Sequence, residues 1–182
     1  NTIGSAGSGY IIINNLDTGV QHYLRFWSTL TGTNSARFEF CVQEIPPAQN
    51  DECNNALPVF TQPPGTNCDS GTRASTLGAT RSGARPSCLS GFEDDDVWYS
   101  FTAATNAIEI RFSNARKITG SLSRTNIGYA LYEANCPASG EPFSCASNIG
   151  AGSGIELVGG LTPGSTYYLR LYSYAQNLYA EF

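Results

Sequence analysis

A single offset of 145 residues organises this chain. Ala6-Gly7-Ser8-Gly9 recurs as Ala151-Gly152-Ser153-Gly154, and at the same spacing Leu16, Gly19, Tyr23, Leu24, Arg25 and Ser28 recur as Leu161, Gly164, Tyr168, Leu169, Arg170 and Ser173. After a shorter second loop, Glu39-Phe40 matches Glu181-Phe182, and the first copy runs on into Cys41. A period this long is a whole domain rather than one turn of a solenoid. It divides the sequence into residues 1–43, the C-terminal part of a preceding module; residues 44–49, a linker stiffened by Pro46-Pro47; and residues 50–182, a second, nearly complete module. The chain opens on Asn1 within the recurring pattern and contains no methionine. It reads as a piece of a longer polypeptide with further modules.

The local patterns inside each copy predict strands. Ile108, Ile110 and Phe112 alternate with Glu109 and Arg111, the period of a half-buried strand. Similar runs are expected at Tyr10–Ile13, Gln21–Ser28, Leu57–Thr61, Val97–Ala103, Gly128–Glu133, Ile155–Val158 and Thr166–Tyr172. Clusters such as Asp17-Thr18-Gly19 and Thr162-Pro163-Gly164 supply the turns between them. No segment carries a helical period. The fold class this implies is all-β, antiparallel β-sandwich modules of jelly-roll type in tandem.

Composition narrows the setting. Charged residues make up 14% of the chain and aromatics 12%, few charges and many rings, as in a folded protein rather than a solvated tail. A net charge of −5, with Lys117 as the single lysine, gives no footprint for nucleic acid. No apolar stretch is long enough to cross a bilayer, so no membrane span is expected. The cysteines are Cys41, Cys53, Cys68, Cys88, Cys136 and Cys145; none forms a C-x-x-C pair and His22 is the only histidine. Disulfides fit better than a zinc or redox motif, and they imply an oxidising, extracellular or cell-surface location. Cys136 and Cys145 flank a short Pro/Ser/Gly-rich loop and are the expected pair, with Cys53, Cys68 and Cys88 holding the other half of the sandwich. The natural partner of Cys41 is not evident in the sequence.

Asn50-Asp51-Glu52-Cys53-Asn54-Asn55-Ala56, Asp95-Asp96-Val97-Trp98-Tyr99-Ser100-Phe101, Gly128-Tyr129-Ala130-Leu131-Tyr132, Leu161-Thr162-Pro163-Gly164 and Tyr167-Tyr168-Leu169-Arg170 follow one another in an order that resembles a known module class. It is similar to the tandem β-sandwich repeats of large secreted Bacteroidota surface proteins, of pre-peptidase C-terminal and collagen-binding type. The resemblance covers Asn50–Phe182 and again Ala6–Cys41. It implies a β-sandwich within adhesins, gliding-associated proteins or secreted hydrolases, often exported by the type IX route.

No catalytic set is expected. His22 has Tyr167 as its counterpart in the second copy, so the repeat does not share a chemistry built on histidine. The run Glu93-Asp94-Asp95-Asp96 lies on one turn, whereas glycosidase carboxylates flank a bond from separate elements. A ligand surface has a better case. In Tyr168-Leu169-Arg170-Leu171-Tyr172 the leucines face one side and Tyr168, Arg170 and Tyr172 the other, a pattern the first copy repeats as Tyr23, Arg25 and Trp27. Rings flanking an arginine suit a sugar or peptide; the plain alternative is a cross-strand ladder with the arginine stem across the rings. The expected role is a non-enzymatic structural spacer or filament used in adhesion, its partners being neighbouring modules or copies of itself. The alternative is a carbohydrate- or matrix-protein-binding accessory module of a secreted hydrolase.

No cofactor is required, but the resemblance to collagen-binding-type sandwiches implies one candidate, calcium. Its ligands would come from Asn50, Asp51 and Glu52 with Asp94, Asp95 and Asp96, an oxygen-rich set of the kind Ca²⁺ takes. The plain alternative for this run is a solvated acidic turn.

Overall fold

The computed structural model describes residues 11–13, 16–27, 32, 37–68, 71–91, 95–118, 124–133, 135–136, 140–150, 153–174 and 178–182. The chain divides into two compact units, Asn1–Ile45 and Pro46–Phe182.

The larger unit is built from short strands. After a single 3₁₀ turn at Cys53–Asn55 come β1 (Leu57–Pro58), β2 (Asp96–Thr102), β3 (Ala107–Ser113), β4 (Arg116–Lys117), β5 (Ile127–Glu133), β6 (Ser144–Ile149), β7 (Ser153–Gly159), β8 (Thr166–Ser173) and β9 (Ala180–Glu181). The main sheet has the order β1-β2-β8-β5-β6; β3 pairs with β7, and β4 with β9. All pairings are antiparallel except β1 with β2, which is parallel. The all-β, predominantly antiparallel architecture follows the sequence patterns.

Burial explains which strands alternate. The main-sheet side chains Val97, Tyr99, Phe101, Tyr129, Leu131, Tyr167, Leu169 and Leu171 share one core with Phe112 and Val158 of β3 and β7. The Phe112 and Tyr129 rings stack with centroids 6.1 Å apart, and Phe101 stacks on Tyr167 at 5.7 Å. The opposite face of the main sheet is also covered: Trp98, Ala130, Tyr132 and Tyr172 form a second cluster with Cys53 and Leu89. The strands β2, β5 and β8 are therefore buried on both faces, while β3 and β7 keep the alternation of a sheet with one wet side. Gly128 lies opposite Tyr172 in the β5–β8 register, and any side chain there would run into the tyrosine ring. A glycine is what lets that ring lie across the strand.

Three expectations need correction. The disulfides are Cys53–Cys136 and Cys88–Cys145, with Cα separations of 5.4 and 6.5 Å, and not Cys136–Cys145; Cys41 and Cys68 are free and exposed. The β5–β6 register gives the reason. Leu131 faces Ser144 and Ala130 faces Cys145, so Cys145 sits well inside the hairpin whereas Cys136 lies beyond the end of β5. Flanking the same loop does not make two residues face each other. Second, β6 escaped the sequence patterns, because Ser144–Ile149 lacks an alternation of branched and aromatic residues.

The third correction concerns the smaller unit. No described residue of the runs at 10–13 and 21–28 is in a strand; Tyr10 and Ser28 lie outside the described residues. Backbone groups make a ladder only with a neighbour. Residues 1–45 hold counterparts of β7, β8 and β9 but none of β2 or β5, the strands that flank β8. What this unit does form is an aromatic cluster, with the Phe26 ring 5.1 Å from Phe38 and 4.9 Å from Phe40.

Candidate functional site

The chemistry of the larger unit gathers on the outer face of its main sheet. Trp98 of β2 and Ala130 of β5 lie directly opposite Arg170 of β8, one on each side. Asp96 is two residues before Trp98 and shares its face, a diagonal neighbour within reach of an arginine. The methyl of Ala130, fully buried, leaves room for the guanidinium.

Arg170 donates from Nε to Asp96 Oδ2 at 2.8 Å and from Nη2 to Asp96 Oδ1 at 3.2 Å, a bidentate pair in which both residues are almost wholly excluded from solvent. Its Nη1 donates to the Ala84 carbonyl at 3.2 Å, and its guanidinium carbon sits 5.7 Å from the centre of the Trp98 ring. Asp96 also accepts from the Ser82 backbone at 2.7 Å and from the Ser82 hydroxyl. That hydroxyl in turn accepts from Trp98 Nε1 at 2.6 Å. Burial pushes the Asp96 carboxyl up, against the pull of Arg170 and Ser82. Burial also works against the Arg170 cation, but Asp96 and Tyr132 more than offset it and hold the guanidinium above its ordinary value. Arg170 is a cation held in place by three acceptor atoms and one ring face.

Asp95, the neighbour of Asp96, is equally buried. It accepts from the hydroxyls of Thr76 and, at 2.7 Å, Ser173. The N-terminal segment is fixed to the same region: Asn50 exchanges hydrogen bonds with the Trp98 backbone at 2.8 and 2.9 Å, and Asp51 accepts from the Thr80 amide and hydroxyl at 2.6 and 2.8 Å. Glu52 is exposed, and Asp94 lies outside the described residues. The acidic run is not a solvated turn at Asp95 and Asp96; these two carboxylates are the polar anchors of β2. Among the described residues no three of His, Cys, Asp and Glu gather as metal ligands would.

The proposed ligand face divides in the same way. Tyr172 and Arg170 are buried, and Tyr168 is half-buried. Their counterparts in residues 1–45, Tyr23, Arg25 and Trp27, are exposed. The ladder reading describes the larger unit: Arg170 lies beside Trp98 and is spent on Asp96. Above this network an open cleft of about 260 Å³ remains, lined by Trp98, Tyr132 and Arg170 below and by residues 82–86, Gly140 and Glu141 around the rim. The Trp98 and Tyr132 rings are 5.6 Å apart. Burial raises the Tyr132 hydroxyl above its ordinary value, with the Arg170 charge opposing. The sequence patterns named none of Trp98, Tyr132 and Ser82 as a site residue. The one available signal was that Trp98 and Tyr132 fall on the even-numbered face of strands whose odd positions are aliphatic or aromatic core.

Among the described residues no helix is long and apolar enough to cross a membrane. Neither curated proteins nor solved structures hold a significant match to the chain. A family model does match, over residues 49–182, described as galactose binding domain-like and associated with type IX secretion. Together with the two disulfides, this makes the protein a secreted or cell-surface one. The match spans most of the sequence, so the chain belongs to the galactose-binding-domain-like family associated with the type IX secretion system.

Proposed function

We propose that this extracellular accessory module is non-catalytic and works as a stiff spacer in a multi-module surface protein, with adhesion as the use of the array. One observation carries the reading. The face of the main sheet that holds the arginine and the rings is fastened down by two disulfides, which close separations of 83 and 57 residues across it. The linker-proximal residues Asn50, Asp51 and Cys53 are among the groups so fastened. A face that is cross-linked to its covering loops and wired through a buried ion pair suits holding a shape under tension. It leaves little surface free for turnover of a substrate.

Stretching the full chain between its ends in a force spectrometer tests this. In the oxidised state the Cys53–Cys136 bridge hides the intervening chain, and reduction should lengthen the released contour by roughly 290 Å, at ~3.5 Å per extended residue over the 83-residue separation. Equal release with and without reductant would sink the spacer reading.

A second reading, a carbohydrate-binding accessory module, is favoured by the cleft over Trp98, Tyr132 and Arg170 and by the description of the family. The cleft is slightly smaller than the ~300 Å³ at which ligand pockets begin, enough for one sugar ring. Saturable binding on a glycan panel, lost on Tyr132→Ala with the fold retained, would shift the function to this reading.

A further inference from the structure

We infer that the outer face of the β3–β7 sheet is a self-association surface, on which a second copy of this chain docks about a two-fold axis. The two strands form a sheet of their own, whose inner side joins the core through Phe112 and Val158. On β7 the usual alternation is inverted. Glu156 takes an inward position opposite Ile110 and is half-buried, whereas Ile155 and Leu157 face outward, 58% and 78% exposed. Slipping the strand by one residue would exchange its two faces, but Gly154 blocks that slip: it faces Ile149 so closely that any side chain in its place would run into the isoleucine. The apolar pair is therefore held in water by the register. The repeat carries the same residue pattern, with Gly9, Tyr10 and Ile12 at the places of Gly154, Ile155 and Leu157.

The register decides what fits this face. Glu109 stands opposite Leu157 and Arg111 opposite Ile155, so the exposed surface is a charged row on β3 beside an apolar row on β7. Glu109 and Arg111 pair with each other along the strand. Two such sheets stack about 10 Å apart. A two-fold axis between them, perpendicular to the strands and passing midway between Glu109 and Arg111, lays each row on the same row of the second copy. Glu109 of either copy then meets Arg111 of the other, and Leu157 of either meets Ile155 of the other. At the ends, Ala107 and Gly159 come over Ser113 and Ser153, residues small enough to let the faces close. An axis parallel to the strands would instead press each charged row onto an apolar row, which leaves buried charges without new partners. The face is complementary to itself in the first orientation alone.

An isologous contact of this kind is closed by two identical chains and needs no other molecule. So small a face is well below the ~20–30 residues a side of a stable complex. One contact is therefore weak and exchanges readily, while several along an array of modules reinforce one another. The inference gives the adhesive array proposed above a partner, another copy of itself, but it does not rest on the spacer reading. The stretching experiment can fail while association holds, and the reverse.

Sedimentation equilibrium of the full chain tests this, with the exposed thiols Cys41 and Cys68 alkylated so that no disulfide dimer forms. The unaltered chain should show a concentration-dependent monomer–dimer equilibrium; a monomer at every concentration up to about 1 mM would overturn the inference. Glu109→Arg and Arg111→Glu, each alone, set like charges against each other twice and should weaken self-association at least ~10-fold. Mixed in equal amounts, the two variants should associate with each other to within ~3-fold of the original strength, since opposite charges meet again. That rescue also shows that both variants are folded. Leu157→Ser removes an exposed side chain that the two-fold axis counts twice, and should weaken dimerisation at least ~10-fold. Dimerisation indifferent to these charges and to Leu157, as it would be through any other apolar surface, or no association in the mixture, would overturn the inference.

Discussion

Asp17-Thr18-Gly19-Val20 and Thr162-Pro163-Gly164-Ser165 stand at matching places in the repeat, and both close a turn. The amide of Val20 donates to the Asp17 carbonyl at 3.3 Å and that of Ser165 to the Thr162 carbonyl at 3.1 Å, with Gly19 and Gly164 at φ 77° and 86°. Beyond the turns the copies part. Residues 166–173 form β8, flanked by β2 and β5, and bury Arg170 and Tyr172; the matching Arg25 and Trp27 stay exposed, outside any strand. A turn is encoded by four adjacent residues and forms wherever they occur. A strand is encoded jointly with its neighbours, so the same run has no ladder without them.

The sharpest way to break this comparison is to remove the long-range partner of the arginine. Asp96→Ala leaves Arg170 buried with its main counter-charge gone, which should cost about 3–5 kcal/mol of unfolding free energy. The matching arginine has nothing comparable to lose, and Arg25→Ala should stay within ~0.5 kcal/mol. Denaturant titration of both variants measures the contrast. Similar costs at the two sites would mean that Arg25 has a buried partner of its own.

The disulfides come next, because they exist only where the sheet does. Replacing Cys53 and Cys136 by serine should lower stability by about 2–4 kcal/mol, through the freedom returned to the unfolded chain. Replacing Cys41 by serine should change it by less than ~0.5 kcal/mol. The midpoint of chemical unfolding under non-reducing conditions reads both. A loss at Cys41 equal to that at Cys53 would show that its thiol is bonded in solution.

How far the fold could be read from the residues follows the same division. The strands β3 and β7 were legible because one face is wet, so Ile108, Ile110 and Phe112 stand out against Glu109 and Arg111. In β8 the pattern correctly separated the leucine side from the arginine side, but it could not say what Arg170 meets, because Asp96 is 74 positions away. The acidic run misled for a related reason. Adjacent carboxylates are seldom fully buried, and donors brought in from elsewhere in the chain, Ser82, Thr76, Ser173 and Arg170 among them, offset the cost of burying Asp95 and Asp96. Cysteine pairing likewise turned on register. The cleft was invisible for the same cause, since Trp98 and Tyr132 meet only across β8.

The smallest effect tests the shared element. Gly19 and Gly164 both hold a positive φ with open space where a side chain would stand, so alanine at either site meets strain from the backbone alone. That strain is about 1–2 kcal/mol for an L-residue in this region. If the turn is local in both copies, Gly164→Ala should lower the unfolding free energy of the larger unit by about that amount, while Gly19→Ala should leave that transition unchanged. Each substitution should still weaken its own turn, read as a steeper temperature dependence of the NMR shift of the Val20 or Ser165 amide, whose hydrogen bond closes it. An unaltered Val20 amide in Gly19→Ala would mean that the turn in the smaller unit is held by something other than its own four residues. The contrast between local turns and non-local strands would then have to be abandoned for that unit.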